Sequence, residues 1–365
     1  MTRVAVLGTG VTCAALSVPL ADNGHEVCLV GSHLDREIID SIKTTRVHPG
    51  LDQELDRSVR AFQLEEAPEA FAEAEIVLSG VNSFGVRWAG ERLAGLLPER
   101  ALVIAIAKGL EAGPDGDLRI LTDVLTASWS AAQRATHSVS AIAGPSIAGD
   151  VAARRDTCVV FAGRDQAALD RLASTFRTEA YHVWTSTDLV GCEVCAALKN
   201  CYALGVGLAD GVLEARGVSD PVRMHNYAAA LFAQGVAEMR QMVELLGGHP
   251  ESAGWLPGVG DMYVTSIGGR NVRVGRLLGA GARFEEASER LGHPTLEGAA
   301  AIRELGEALP KLARRGIVSP DDFPLLRHLY ELVALGQPVD IPWSSFFGGE
   351  PGHGRANTRA PEVRE

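Results

Sequence analysis

Positive charge is in short supply in this chain. Its 365 residues carry 34 Lys and Arg against 46 Asp and Glu, a formal net charge of −12. A surface this acidic excludes a general nucleic-acid binder, whose affinity comes from neutralising phosphates. It leaves room for a local basic pocket that takes a small anion. Aromatic residues are also few, at 5%, whereas glycines number 40, a balance that implies tight turns and close backbone approaches. No uninterrupted apolar run reaches the roughly 18–20 residues that a membrane span requires, so none is expected. The opening MTRVAVLGTG has no separate signal-peptide region and runs directly into a strand pattern. Six cysteines in a long chain without a signal give the expectation of reduced thiols and a cytoplasmic setting.

What is present is ordinary globular material: 46% hydrophobic and 22% charged residues, which excludes bulk disorder. The length suits two domains. Up to about residue 160, short β-rich runs alternate with helical patterns. Strand candidates are Arg3–Leu7, Glu26–Val30, Ile76–Ser79, Leu102–Ala105, Ser140–Ile142 and Cys158–Phe161. This alternation predicts an α/β fold, an N-terminal Rossmann-type doubly wound sheet. From Leu189 onward, long helical patterns take over: 189–213, 222–246, 272–280, 298–316 and 324–334. The expected organisation is a dinucleotide-binding domain over 1–188, a mostly α-helical substrate-binding and catalytic domain over 189–345, and a disordered tail over 346–365.

Gly8-Thr9-Gly10-Val11-Thr12-Cys13 follows the first strand and opens a helix. In a dinucleotide fold the first glycine makes the turn and the second lets the pyrophosphate approach the backbone. The helix N-terminus then presents free N–H groups and a positive dipole end. The third position, normally Gly or Ala, is Cys13, which is small enough to serve. Gly8, Gly10, Val11 and Thr12 are therefore cofactor-binding candidates, and the cofactor is NAD or NADP. The choice stays open, because the second strand ends Val30-Gly31-Ser32-His33 with no acid before Asp35. Ser32 and His33 are candidates for the adenosine end, and His33 and Arg36 suit either a 2′-phosphate or a solvated loop.

Other blocks sit where chemistry is done. Lys108, in Ala107-Lys108-Gly109-Leu110, follows a buried strand at the end where open α/β sheets bind ligands. Gly144-Pro145-Ser146 follows the next strand in the same way. Lys199 lies in an otherwise apolar helix, in Ala196-Ala197-Leu198-Lys199-Asn200. Gly258-Val259-Gly260-Asp261, Thr265 and Gly268-Gly269-Arg270-Asn271 come later. Arginine beside asparagine after glycines suits a phosphate or carboxylate. Each has an ordinary alternative: Lys108 as a turn residue, Lys199 reaching outward along its stem, and Asp261 as a helix cap.

Taken in order, GTG at 8–10, AKGLE at 107–111, GPSIA at 144–148, AALKN at 196–200, GVGD at 258–261, GGRN at 268–271 and LEG at 296–298 change those odds. Over residues 1–345 the chain resembles the NAD(P)-dependent sn-glycerol-3-phosphate dehydrogenases. The resemblance implies hydride transfer between glycerol 3-phosphate and dihydroxyacetone phosphate. It implies Lys199 as general acid/base, Asp261 as the acid that helps set its protonation, and Lys108 as a lysine touching substrate and cofactor. It further implies Ser146, Asn200 and Thr265 at the substrate, Arg270 and Asn271 on its phosphate, and Ala148, Arg270 and Glu297 toward the cofactor. A homodimer is also expected. The chemistry agrees, since alcohol oxidation needs a base for the hydroxyl proton. A lysine whose ordinary pKa is about 10.4 serves only when its surroundings lower it.

The departures lie on the cofactor side. Val11-Thr12-Cys13 replaces an aromatic and a third glycine, Val81-Asn82 replaces valine-proline, and Lys43–Ser58 keeps only fragments of the usual loop. They motivate a second reading, the same chemistry on another phosphorylated polyol or hydroxy compound. A non-catalytic nucleotide sensor is a third, disfavoured by retention of Lys199 and Asp261. Cys192-Glu193-Val194-Cys195 with Cys201 lacks finger-like partners, so no metal is expected. Arg154-Arg155 reads as a solvated face. Leu231, Val236, Met239, Met242 and Leu246 read as helix core, with a dimer face as the alternative.

Overall fold

The computed structural model describes residues 1–217 and 224–348. Contacts divide the chain into two compact units. The first comprises Met1–Glu111, Arg119–Ala197 and Val243–Asp261; the second comprises Ala112–Leu118, Leu198–Met242 and Met262–Glu365.

The first unit is built on an eight-stranded sheet. Its strands are β1 (Arg3–Leu7), β2 (Glu26–Val30), β3 (Val59–Phe62), β4 (Ile76–Ser79), β5 (Leu102–Ala105), β6 (Val139–Ala143), β7 (Thr157–Gly163) and β8 (Tyr181–Ser186). The spatial order is β8-β7-β6-β5-β4-β1-β2-β3. From β3 to β6 every pairing is parallel. β7 pairs antiparallel with β6, and β8 runs parallel to β7. The order 3-2-1-4-5-6 is that of a dinucleotide-binding fold, and its switch point lies between β1 and β4.

Successive side chains of a strand point to opposite faces, and here both faces are core. Val4, Val6, Val27, Leu29, Ile76, Leu78 and Ile104 fill one layer. Ala5, Leu7, Cys28, Val30, Val77, Val103 and Ala105 fill the other. A parallel sheet covered on both sides gives the continuous apolar runs that mark these strands in the sequence. β3 and β8 are the two edges and lack that signature: Arg60 of β3 and Trp184 of β8 are exposed.

The second unit is helical. Its main elements, after α1 (Val11–Asp22) of the first unit, are α2 (Leu189–Ala215), α3 (His225–Leu245), α4 (Asp261–Gly268), α5 (Arg270–Gly279), α6 (Glu297–Arg314) and α7 (Pro324–Leu335). The change from strand to helix falls between Ser186 and Leu189, whereas the unit boundary falls inside α2, after Ala197. By length and composition α2 is apolar enough to cross a membrane, contrary to the expectation from uninterrupted runs. Its most apolar window is 83% buried within the protein, which is the condition of a core helix. Phe346 is buried and Phe347 N–H donates to Gln234 Oε1 at 2.9 Å, so the expected tail is packed at its start. Residues 349–365 lie outside the described residues, as do Val222 and Arg223 of the expected helical pattern over 222–246.

Candidate active site

Because β1, β4, β5 and β6 are parallel, their C-terminal ends share one edge of the sheet. Three of the sequence blocks begin there: Gly8 after β1, Lys108 after β5 and Gly144 after β6. Gly8 has φ +109°, a backbone region that side chains disfavour. A Cβ on Gly8 would lie 2.8 Å from the Gly80 carbonyl oxygen, at the end of β4. A Cβ on Gly80 would lie 2.2 Å from Cys13 Sγ. Cys13 is buried and its Sγ–H donates to Gly80 O at 3.2 Å. Burial pushes this thiol up to about 12, so it stays a neutral donor. The side chain at the third position of the turn is thus accommodated by a missing one at Gly80.

Gly10 is different. Nothing lies within 4 Å of where its Cβ would be, and Gly10, Val11 and Thr12 are exposed. Gly10 is the N-cap of α1 and offers no side chain to the helix N–H groups. Thr9 beside it is fully buried, and its Oγ1 has no hydrogen-bond partner. Open space at a glycine before a helix N-terminus, with a tight steric cradle behind it, fits a dinucleotide phosphate. At the end of β2, Asp35 Oδ2 accepts from Ser32 N–H at 2.8 Å and Ser32 Oγ–H at 2.7 Å. His33 is exposed and its ring meets Trp88 edge-on. Arg36 pairs with Glu65.

Lys108 Nζ binds Asp261 Oδ2 at 2.5 Å and Gly144 O at 3.4 Å. Asp261 is 2% exposed. It is the first residue of α4 and follows a π-helical turn, Leu256–Gly260, formed by the glycines of its block. Its carboxylate therefore serves an ion pair 153 positions away in sequence and not only the end of its own helix. Ser146 is half-buried, and Ala148 opens a short helix, Ala148–Ala152.

In the second unit, Lys199 is 8% exposed and its Nζ donates to Thr265 Oγ1 at 2.8 Å. The reading of Lys199 as reaching outward therefore does not hold. Asn200 and Asn271 are each 8% exposed, and Asn271 Oδ1 has no hydrogen-bond partner. A Cβ on Gly298 would lie 2.7 Å from both Asn200 O and Asn271 Oδ1. The glycine of the LEG block is thus what lets these two asparagines pack beside α6. Glu297, its neighbour, is half-buried at the start of α6, and Arg270 is exposed at the start of α5.

A feature outside the sequence reading holds α5 in place. Gly207 and Gly211 of α2 face Gly275 and Gly279 of α5. A Cβ would come within 2.3 Å of Val272 O from Gly207, 1.9 Å of Arg276 O from Gly211, 1.9 Å of Leu204 O from Gly275 and 2.3 Å of Leu208 O from Gly279. Glycines four apart on both partners let the helix backbones touch. The helix that starts Arg270-Asn271 is thereby locked against the one that carries Lys199-Asn200. The signal was present as paired G-x-x-x-G spacings.

Other singled-out residues serve the framework. Cys192, Cys195 and Cys201 are free and buried, and burial pushes the Cys192 and Cys201 thiols up to about 12. No cluster of three metal-ligating side chains occurs among the described residues. Arg154 and Arg155 pair with Asp22 and Asp150 at the surface. Leu231, Met239 and Met242 are fully buried.

These features define the class. The chain is an NAD(P)-dependent dehydrogenase acting on a CH–OH group, with a Rossmann-type first part and a helical second part. Residues 3–169 match the NAD-dependent glycerol-3-phosphate dehydrogenase N-terminus, and residues 188–342 match the corresponding C-terminus. The chain belongs to that family. It is 37% identical over 288 residues to the NADP(+)-dependent glycerol-3-phosphate dehydrogenase of Archaeoglobus fulgidus, covering 79% of this chain and 83% of the relative. It is 30% identical over 342 residues to a Bacillus velezensis glycerol-3-phosphate dehydrogenase using NAD(P)+, covering 93% and 92%. A solved glycerol-3-phosphate dehydrogenase from Coxiella burnetii shares the fold, with a TM-score of 0.75 at 24% identity over 94% of this chain and 96% of the other.

Proposed function

We propose that the protein interconverts sn-glycerol 3-phosphate and dihydroxyacetone phosphate, with residues 1–188 serving the nucleotide and 189–345 the substrate. When bound, NAD(P) supplies the hydride acceptor or donor. Gly8, Gly10, Val11 and Thr12 hold its pyrophosphate, Ser32 and His33 its adenosine end, and Ala148, Arg270 and Glu297 border it. Lys199 moves the proton of the C2 hydroxyl. Asp261 is assigned the part of helping to set that lysine's protonation, Lys108 that of touching substrate and cofactor, and Ser146, Asn200 and Thr265 that of orienting the substrate. Arg270 and Asn271 grip the phosphate, whose binding energy orients the reacting carbon.

The observation that carries this reading is the sequestered Lys199 with its Thr265 hydroxyl partner at 2.8 Å. A hydroxyl accepts from an ammonium and donates to a neutral amine, so Lys199 keeps its position in either protonation state. At the adenosine end, engagement of Asp35 by its own turn supports acceptance of NADP. A cytoplasmic setting and a homodimer belong to the same proposal.

The test is a cofactor-by-substrate matrix on the wild type and two variants. Lys199→Ala is expected to lower kcat by about 10²–10⁴ with nucleotide Kd unchanged. Arg270→Ala is expected to raise KM mainly for phosphate-bearing substrates. Failure of the wild type to turn over dihydroxyacetone phosphate with either nucleotide would overturn the substrate, and unchanged Arg270→Ala kinetics would overturn the phosphate grip.

A further inference from the structure

His48 lies in Lys43–Ser58, the segment that keeps only fragments of the family's usual loop. It is 1% exposed. Its Nε2 lies 2.8 Å from the carbonyl oxygen of Thr9, between the two glycines of the turn, and Gly50 N–H donates to its Nδ1 at 3.1 Å. A carbonyl only accepts and an N–H only donates, so the partners define the tautomer: Nε2 carries the hydrogen and Nδ1 is bare. The same loop reaches the start of α1, where a Cβ on Gly50 would lie 2.7 Å from Val11 Cγ2.

The bond to Thr9 has a consequence one atom further along. The C=O and N–H of a trans peptide point in opposite directions. Fixing the Thr9 carbonyl on the His48 side therefore fixes the Gly10 N–H on the opposite side of that peptide; Gly10 itself is exposed, and nothing lies within 4 Å of its Cβ position. Thr9 cannot hold the turn itself, since its hydroxyl is buried and unpartnered. Nor can Gly10, which has no side chain to cap α1.

We propose that His48 is a positioning residue for the nucleotide: its Nε2–H holds the Thr9–Gly10 peptide in the orientation that receives the NAD(P) pyrophosphate. It touches neither substrate nor reacting atoms, so it acts on nucleotide affinity and not on the chemical step. The proposal rests on Gly8–Gly10 being the pyrophosphate seat.

Two variants separate the two ring contacts. The Asn amide of His48→Asn reaches the Nδ1 position and can accept from Gly50 N–H as an Asx turn, but it loses the donor to Thr9. The longer Gln amide of His48→Gln reaches the Nε2 position and keeps that donor. Titration of each full-length variant with NADPH and NADH, followed by nicotinamide fluorescence, gives the dissociation constants. One neutral hydrogen bond corresponds to roughly a five- to tenfold change. His48→Asn is expected to bind about five- to tenfold more weakly and His48→Gln within about twofold of wild type. At saturating nucleotide, kcat is expected to be unchanged in both. Equal affinities for the two variants, tight or weak, would overturn the proposal, as would a fall in kcat. Loss of the fold in either variant would also overturn it, because the ring would then be holding the unit together. Gly10→Ala, measured in parallel, reports on the seat alone: unchanged affinity there refutes the seat and with it the role of His48, whereas weakened binding there with equal affinities for the two His48 variants refutes the role of His48 alone.

Discussion

The two units use the same residue for opposite ends. In the first, the glycine at position 10 leaves a space that no atom of the protein fills. In the second, the glycines at 207, 211, 275 and 279 leave spaces that the backbone of a neighbouring helix fills completely. An absent side chain thus means open space before a helix N-terminus in one case and a locked helix crossing in the other. The difference shows why glycine content alone says little about function. What matters is whether the gap is occupied from within the chain.

Gly275→Ala breaks the comparison most severely. Alanine is the better helix former, by about 1 kcal/mol, so an unconstrained site would gain stability. Here the new methyl would lie 1.9 Å from Leu204 O, and backbone on both sides cannot rotate away. Overpacking of this kind costs typically 1–3 kcal/mol and sometimes more. We expect a net loss of about 3 kcal/mol in urea unfolding, with a fall in kcat/KM as Arg270 and Asn271 shift. A stability equal to or above wild type would show that the crossing yields and that these glycines are incidental.

Gly10→Ala is the counterpart. The Gly10 backbone, φ −62° and ψ 165°, is one that alanine adopts without strain, and no protein atom meets the new methyl. Stability is expected to stay level or rise by up to about 0.5 kcal/mol. Nucleotide affinity is expected to fall about tenfold, or about 1.4 kcal/mol, because the methyl would stand in the approach proposed for the pyrophosphate. Equal nucleotide affinity in a calorimetric titration would remove the functional half of the contrast.

The sheet and the blocks of the candidate site are legible because their signals are local. Six strands buried on both faces announce themselves as apolar runs, while the two that were missed, Val59–Phe62 and Tyr181–Ser186, are the half-exposed edges. Lys108, Asp261, Lys199 and Thr265 stood out as polar residues in fixed blocks. Their pairing was harder to read: the Lys108–Asp261 bond joins residues 153 apart, and the Lys199–Thr265 bond joins residues 66 apart. No spacing rule reaches that far. Cys13 departs from the usual third glycine of the turn, and its compensation, Gly80, is out of local reach because it follows another strand. The α2–α5 crossing was spelled out in G-x-x-x-G pairs, yet each half is uninformative until the other is placed against it.

Each unit also holds a fully buried glutamate, and the pair sharpens the comparison at its finest. Burial pushes Glu193 of the first unit and Glu238 of the second up to about 7. Glu238 accepts from Leu325 N–H and Leu326 N–H at the start of α7, at 2.6 and 2.9 Å. Backbone donors cannot reverse, so an amide NH₂ at that position would face another donor. Glu193 accepts from Thr122 N–H at 3.2 Å through one oxygen and from the Thr122 hydroxyl through the other. A hydroxyl can turn from donor to acceptor, so Glu193→Gln keeps both bonds. The sign of the pH effect follows from the raised value. Between the ordinary carboxyl range near 4.5 and about 7, the folded state holds a proton that the unfolded state has released. Stability from this group is therefore complete below that window and is lost as pH rises through about 7. Glu193→Gln carries no titrating proton. We expect it to match wild type within about 0.5 kcal/mol at pH 5 and to exceed it by on the order of 1 kcal/mol at pH 8, measured by urea unfolding across that range. Parallel stability curves for the two proteins would mean that the Glu193 carboxyl ionises in the fold as readily as in water.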